Sequence, residues 1–181
     1  FYLSPHLNFF EDSILVHFNN SFFKLNGELW PFTEDNLITI KENELKPHNF
    51  AIQNKDQFLQ IVNTSSDLSD ALIEFQQINL PALANIIELD TVLRSGLLTG
   101  KIRLEDPFDN LQADVDLQLS EIQVFDMDCD SISIDAFYNK AKKRVDIAAY
   151  LDDSNYDLFA KGSYDLRPDL LNPVQLDIDV N

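Results

Sequence analysis

A single cysteine, Cys129, occurs among 181 residues, so no internal disulfide can form, and one thiol does not choose a redox compartment. Glycine appears four times and proline seven, which excludes collagen-like sequence and low-complexity linkers. Basic residues are scarce as well: 13 Lys and Arg stand against 31 Asp and Glu, a net charge of -18. That balance argues against nucleic-acid binding through phosphates and against a basic helix that seeks anionic membranes; the acids read as the coat of a solvated face. No apolar run approaches the roughly 20 residues that a membrane-spanning helix needs. The opening FYLSPHLNFF lacks the basic region and cleavage site of a signal peptide, and the chain is expected to begin inside a longer polypeptide.

Reactive constellations are missing too. His6, His17 and His48 lie apart in sequence, without i, i+4 spacing or a neighbouring Cys, which argues against zinc. There is no G-x-S-x-G and no P-loop. Asp126, Asp128 and Asp130 begin like a calcium loop, but Ser131 stands where such a loop needs Gly and Phe137 where it needs Glu, so they read as acids on a strand edge. Carboxylates alternate along the chain without any one pair standing out for glycoside hydrolysis. Neither enzyme activity nor a metal or cofactor is expected.

What the chain does have is alternation. In LQADVDLQLS, Leu111, Ala113, Val115, Leu117 and Leu119 alternate with Gln112, Asp114, Asp116, Gln118 and Ser120. Successive strand side chains point to opposite faces, so this is a half-buried strand with one apolar and one acidic or amide face. The pattern recurs at Leu98, Ile102 and Leu104; at Ile132, Ile134 and Ala136; at Val145, Ile147, Ala149 and Leu151; at Leu158 and Ala160; and at Val174, Leu176 and Ile178. Six such segments, separated by turns such as DPFDN and the basic NKAKKR, predict an antiparallel meander with one apolar face. Lys140, Lys142, Lys143 and Arg144 crowd one hairpin tip, read as a solubilising turn or as a contact for lipid phosphates or an acidic partner.

Residues 1–60 form a distinct aromatic-rich segment carrying Phe1, Phe9, Phe10, Phe18, Phe22, Phe23, Phe32, Phe50 and Phe58, nine of the 14 phenylalanines, with Trp30. Such a concentration either lines a wider mouth or closes one end of a core. Here the pattern predicts a hairpin of Ile14–Phe18 and Phe23–Leu29 about Asn-Asn-Ser, and a strand Leu37–Ile40 that ends before ENELKP. NFAIQNKDQFLQIVN predicts two strands about Asn-Lys-Asp, with Phe50 and Ile52 opposite Phe58, Gln60 and Val62. ALIEFQQINL fits one strand. In PALANIIEL, Leu83, Ile86 and Ile87 follow Pro81 at helical spacing, predicting a short helix near residues 80–89 that covers an apolar face.

From Ala71 onward this order of elements resembles the repeating body of the TamB family, within the AsmA-like superfamily. The resemblance rests on the strand and short helix LPALANIIELD, on a G-x-x-x-G-x-I-x-L opening (Gly96, Gly100, Ile102, Leu104), on LQADVDLQL, on an aromatic-turn-basic hairpin over Phe137–Arg144, and on LFAKGSY with Gly162 and Tyr164. It covers roughly residues 37–181 and implies that 61–181 is a piece of an elongated, twisted antiparallel sheet curled into a U-shaped trough, a β-taco. The apolar residues of the six segments, Leu98 to Ile178, would then line a groove for lipid. The resemblance further implies a periplasmic protein of a Gram-negative bacterium, anchored in the inner membrane. It would move phospholipid toward the outer membrane and work with an outer-membrane β-barrel protein of the Omp85 type. Two other readings fit the alternation: an assembly scaffold that offers strand edges to client β-proteins, and an ordinary β-sandwich whose apolar faces are packed core. Unpaired strand edges also predict edge-to-edge self-association.

Overall fold

The structure, a computed structural model, describes residues 2–25, 27–41, 44–64, 70–81, 93–107, 109–125, 127–154, 157–167 and 173–180. The fold is all-β, in antiparallel sheets. Nine strands run in strict sequence order through one open sheet: β7 (Phe50–Asn54), β8 (Gln57–Asn63), β9 (Ala71–Asn79), β10 (Leu93–Glu105), β11 (Gln112–Val124), β12 (Met127–Asn139), β13 (Arg144–Asp152), β14 (Asp157–Asp165) and β15 (Val174–Val180). The last six are the meander predicted from period two, each at least as long as its apolar stretch. The expected helix lies, beyond Leu80 and Pro81, outside the described residues.

Register explains how one face stays apolar across all nine strands. Val115 pairs with both Ile102 and Ala136, Ala136 with Ile147, Ile147 with Gly162, and Gly162 with Leu176. In the other direction Ile102 pairs with Ile73, Ile73 with Ile61, and Ile61 with Phe50. β9 keeps this phase only by a bulge. Its apolar positions are Ile73 and Phe75, then Ile78, and Gln77 between them adopts a left-handed φ of 49° while two residues oppose Thr99. The Gln77 amide donates to the Thr99 hydroxyl, so the interrupted ladder leaves it satisfied. Gly100 is opposite Phe75 and Leu117 at φ 151°; a Cβ there would lie 2.3 Å from the Asp116 carbonyl oxygen, so only glycine fits.

The earlier strands form two smaller sheets: β1 (Pro5–Phe9), β2 (Ile14–Phe18), β5 (Leu37–Lys41) and β6 (Glu44–His48) in the order β1-β2-β5-β6, and the hairpin β3 (Phe22–Leu25) with β4 (Glu28–Pro31). Two expectations are corrected here. The run Phe23–Leu29 does not pair with β2 but folds on itself: Leu25 pairs with Glu28 about Asn-Gly, with Gly27 at φ 85°, the residue pair that suits a two-residue hairpin loop. The strand Leu37–Ile40 ends before ENELKP as expected, at Lys41, and most of ENELKP then returns as β6, whose Pro47 is tolerated because β6 is an edge. Phe50 and Ile52 oppose Ile61 and Leu59, not Phe58, Gln60 and Val62, because the two-residue loop Lys55-Asp56 sets the register one position away. The nine-stranded sheet begins at Phe50.

The small sheets meet the large one through aromatic rings. Phe18, Phe32 and Phe50 pack with centroids 5.0–5.8 Å apart. Trp30, on β4, is 4% exposed and forms a core with Ile78, Leu80 and Leu98, against which Ile52, Phe75, Leu117 and Leu119 pack. Asn36 is buried and fully used: its oxygen accepts from the Phe18 amide, and its nitrogen donates to the Phe18 and Thr33 carbonyls, fixing β2 to the following turn.

Candidate functional site

The apolar face of the nine-stranded sheet gathers the residues singled out by alternation. Leu98, Ile102, Leu104, Ala113, Val115, Leu117, Leu119, Ile132, Ile134, Ala136, Val145, Ile147, Ala149, Leu151, Leu158, Ala160, Val174, Leu176 and Ile178 fall in four cross-strand rows. Leu111 alone precedes its strand; its carbonyl accepts the Lys140 amide, closing the turn side of β11 and β12.

Cover over this face is uneven. Around Trp30 it is core, with Leu98 8% and Ile78 4% exposed. Toward β15 it opens: Ile147 is 44%, Ile178 56%, Val174 59% and Leu176 63% exposed. Between these limits Ala136, Ala149, Ala160 and Gly162 sit on β12 to β14 with little or no side chain, beside Leu151 and Leu158. Trp30, Ile78 and Leu80, which close the covered end, were not singled out from the sequence. The break in the Ile73-Phe75-Ile78 spacing is the signal that carries Ile78 onto this face.

The opposite face is mixed, with Phe137, Ala148, Tyr150 and Phe159 among its charged and amide residues. A twisted sheet is saddle-shaped, and on this side it forms a depression of 690 Å³ whose lining includes Lys101, Arg103, Asp114, Asp116, Asp146 and Lys161. Cations and carboxylates alternate across it: Lys101 pairs with Asp116 at 3.2 Å. Nearby, Asp157 and Asp152 face Tyr150, whose phenol is pushed above its ordinary range, first by desolvation and then by these charges.

The two rims of the exposed part differ in charge. One carries the turn between β12 and β13, where the Lys142 amide donates to the Asn139 side chain and the Lys143 amide to the Lys140 carbonyl, with Lys143 at φ 51°. Leu166, just past β14, donates its amide to the Lys143 carbonyl at 2.7 Å and so holds this turn against the next connection. On that rim Arg144 is neutralised by Asp146 at 2.6 Å and Arg167 by Asp165 at 2.5 Å. The Arg167 side chain, then its backbone amide, hold Asp165 down at a pKa of about 2. The other rim carries Asp128, Asp130, Asp152 and Asp157.

No family model, curated protein or solved structure matches this chain. Among the described residues, no group of three or more His, Cys, Asp or Glu is placed to hold a metal ion. Of the D-x-D-x-D string, Asp126 lies outside the described residues, and Asp128 and Asp130 are exposed on β12. The histidines are less isolated than their spacing implies, since His6 and His17 are direct partners across β1 and β2. His48 pairs instead with Leu37.

Proposed function

We propose that this chain is a segment of a bridge-like lipid-transfer protein of the TamB type, in which the apolar face of the nine-stranded sheet shields phospholipid acyl chains in the periplasm between the inner and outer membranes. The observation that carries this reading is an apolar face continuous across nine strands of which the Trp30 core covers only one end. A diacyl lipid has on the order of 30 methylene groups, and at about 0.8 kcal/mol each their exposure to water costs more than about 20 kcal/mol. Any carrier must therefore offer apolar surface along the whole tail, while the headgroup stays in water. One-faced strands supply this without any single essential residue, and the alanines and Gly162 lower the surface where a chain would lie. In this reading the sheet curls into a trough around its lipid.

A second reading rests on β15. Its outer edge and both its faces are exposed, the arrangement by which a sheet accepts a further strand. An assembly scaffold for outer-membrane β-proteins, working with a β-barrel partner of the Omp85 type, would use that edge.

Native mass spectrometry of the purified chain, with extraction and identification of bound lipid, separates the two. The conduit predicts co-purifying phospholipid, lost when Ile147 and Leu176 are replaced by Asp. Both residues are substantially exposed, so the variants retain the fold. A stable chain that carries no lipid, and takes none up from phospholipid vesicles, would overturn the conduit reading.

A further inference from the structure

Thirteen basic residues serve a chain of net charge -18, and five of them, Lys140, Lys142, Lys143, Arg144 and Arg167, lie on one rim of the exposed apolar face. Two are neutralised locally, Arg144 by Asp146 and Arg167 by Asp165. Lys140 gives its ammonium to the Asp109 backbone carbonyl, which leaves its charge uncompensated. Lys142 and Lys143 are exposed and have no carboxylate partner among the described residues. The turn that carries them is held by backbone hydrogen bonds to Leu111 and Leu166, so the charges project from a fixed point.

That point adjoins the apolar face directly. The first apolar row below the turn is Tyr138, Val145, Tyr164 and Val174, paired strand to strand. Its two tyrosines combine an apolar ring with a polar tip, the side chain suited to a boundary between tail and headgroup. From Tyr164 to Leu158, β14 then rises about 20 Å along the face before reaching the rim of Asp152 and Asp157.

We infer that the turn between β12 and β13 is the headgroup end of the lipid site: an anionic phospholipid lies with its tails on the apolar face and its phosphate against the ammonium groups of Lys142 and Lys143. The inference rests on the proposed lipid-conduit function and adds to it an orientation and a lipid class. The acidic rim repels the phosphate, so the lipid has one direction. The overall negative charge does not forbid this, since screening over about 8 Å at physiological salt makes the nearest charges decide. An acidic peptide would use the lysines but would leave the adjoining apolar row unused.

The test is a competition. The protein is incubated with vesicles containing equal amounts of phosphatidylglycerol and phosphatidylcholine with identical acyl chains, re-isolated, and its bound lipid counted by native mass spectrometry. Wild-type protein enriches phosphatidylglycerol, by about fivefold for each lysine engaged, the ratio that about 1 kcal/mol per cation converts to. Lys142→Gln with Lys143→Gln removes the enrichment, so that the two lipids are taken up in equal amounts, with an unaltered circular dichroism spectrum. Equal uptake of both lipids by wild type, or enrichment that survives the double substitution, overturns the headgroup assignment while the conduit stands. Uptake of neither lipid overturns both. Tight binding of polyglutamate at the lysines with no lipid taken up makes the turn a protein-docking surface and overturns the assignment as well.

Discussion

Asp165 and Arg167 show how single side chains set the charge of a rim. Arg167 reaches back two residues, its Nε donating to both carboxylate oxygens and its Nη2 to one, so the Asp165 carboxylate accepts a charge-assisted fork. The folded carboxyl is held at about 2 against an ordinary 3.8. A depressed folded value means that the pair's contribution to stability is complete above the unfolded value and is lost as the pH falls from about 4 to 2. At neutral pH the pair is closed, and Arg167 contributes no free charge to the basic rim. Arg167→Ala is therefore expected to raise the Asp165 titration toward the ordinary carboxylate range, short of it because the backbone amide of residue 167 still donates to the carboxylate, as followed by NMR of its side-chain carboxyl carbon. An Asp165 that titrates identically in wild type and variant would mean that the fork does not form in solution.

At the scale of elements, residues of one type on one face have unlike energetic roles. Ile78 on β9 is buried with Trp30, Leu80 and Leu98, whereas Ile178 on β15 is 56% exposed. Truncating the first leaves a cavity and loses transfer free energy; truncating the second removes surface already in water. Ile78→Ala should cost about 3 kcal/mol and Ile178→Ala less than about 1 kcal/mol in urea unfolding. Equal losses would show that the whole face packs as core.

The same contrast shows what alternation made legible. It gave the six strands from Leu98 onward and their common face, because period two is a local property that each strand states alone. It did not give the Trp30 core, which joins β4 to β9 and β10 across some 50 to 70 residues of chain. It missed the register of β7 on β8, since a two-residue loop and a three-residue loop differ by one position and exchange the faces. The Asn-Gly pair before Glu28 was a readable turn signal, masked by the apolar alternation of Phe23, Leu25, Gly27 and Leu29 that runs through it.

For the whole molecule, a long sheet with a bare edge is a template for copies of itself, and the charges along β15 set how strongly it takes them. β15 alternates Val174, Leu176 and Ile178 with Gln175, Asp177 and Asp179. Two copies paired antiparallel about Asp177 would align Leu176 with Ile178, yet would set Asp177 directly against Asp177, and like charges so placed destabilise a ladder. The net charge of -18 adds a long-range repulsion that salt screens. On the proposed reading the edges associate only weakly at low salt. Raising salt strengthens the association, and Asp177→Asn strengthens it further by removing the facing charges, whereas Leu176→Lys abolishes it. Sedimentation equilibrium at concentrations approaching millimolar reads the difference. A monomer under every one of these conditions would show that the edge is guarded by more than its carboxylates, whereas association blind to salt and to Asp177 would place the contact elsewhere on the molecule.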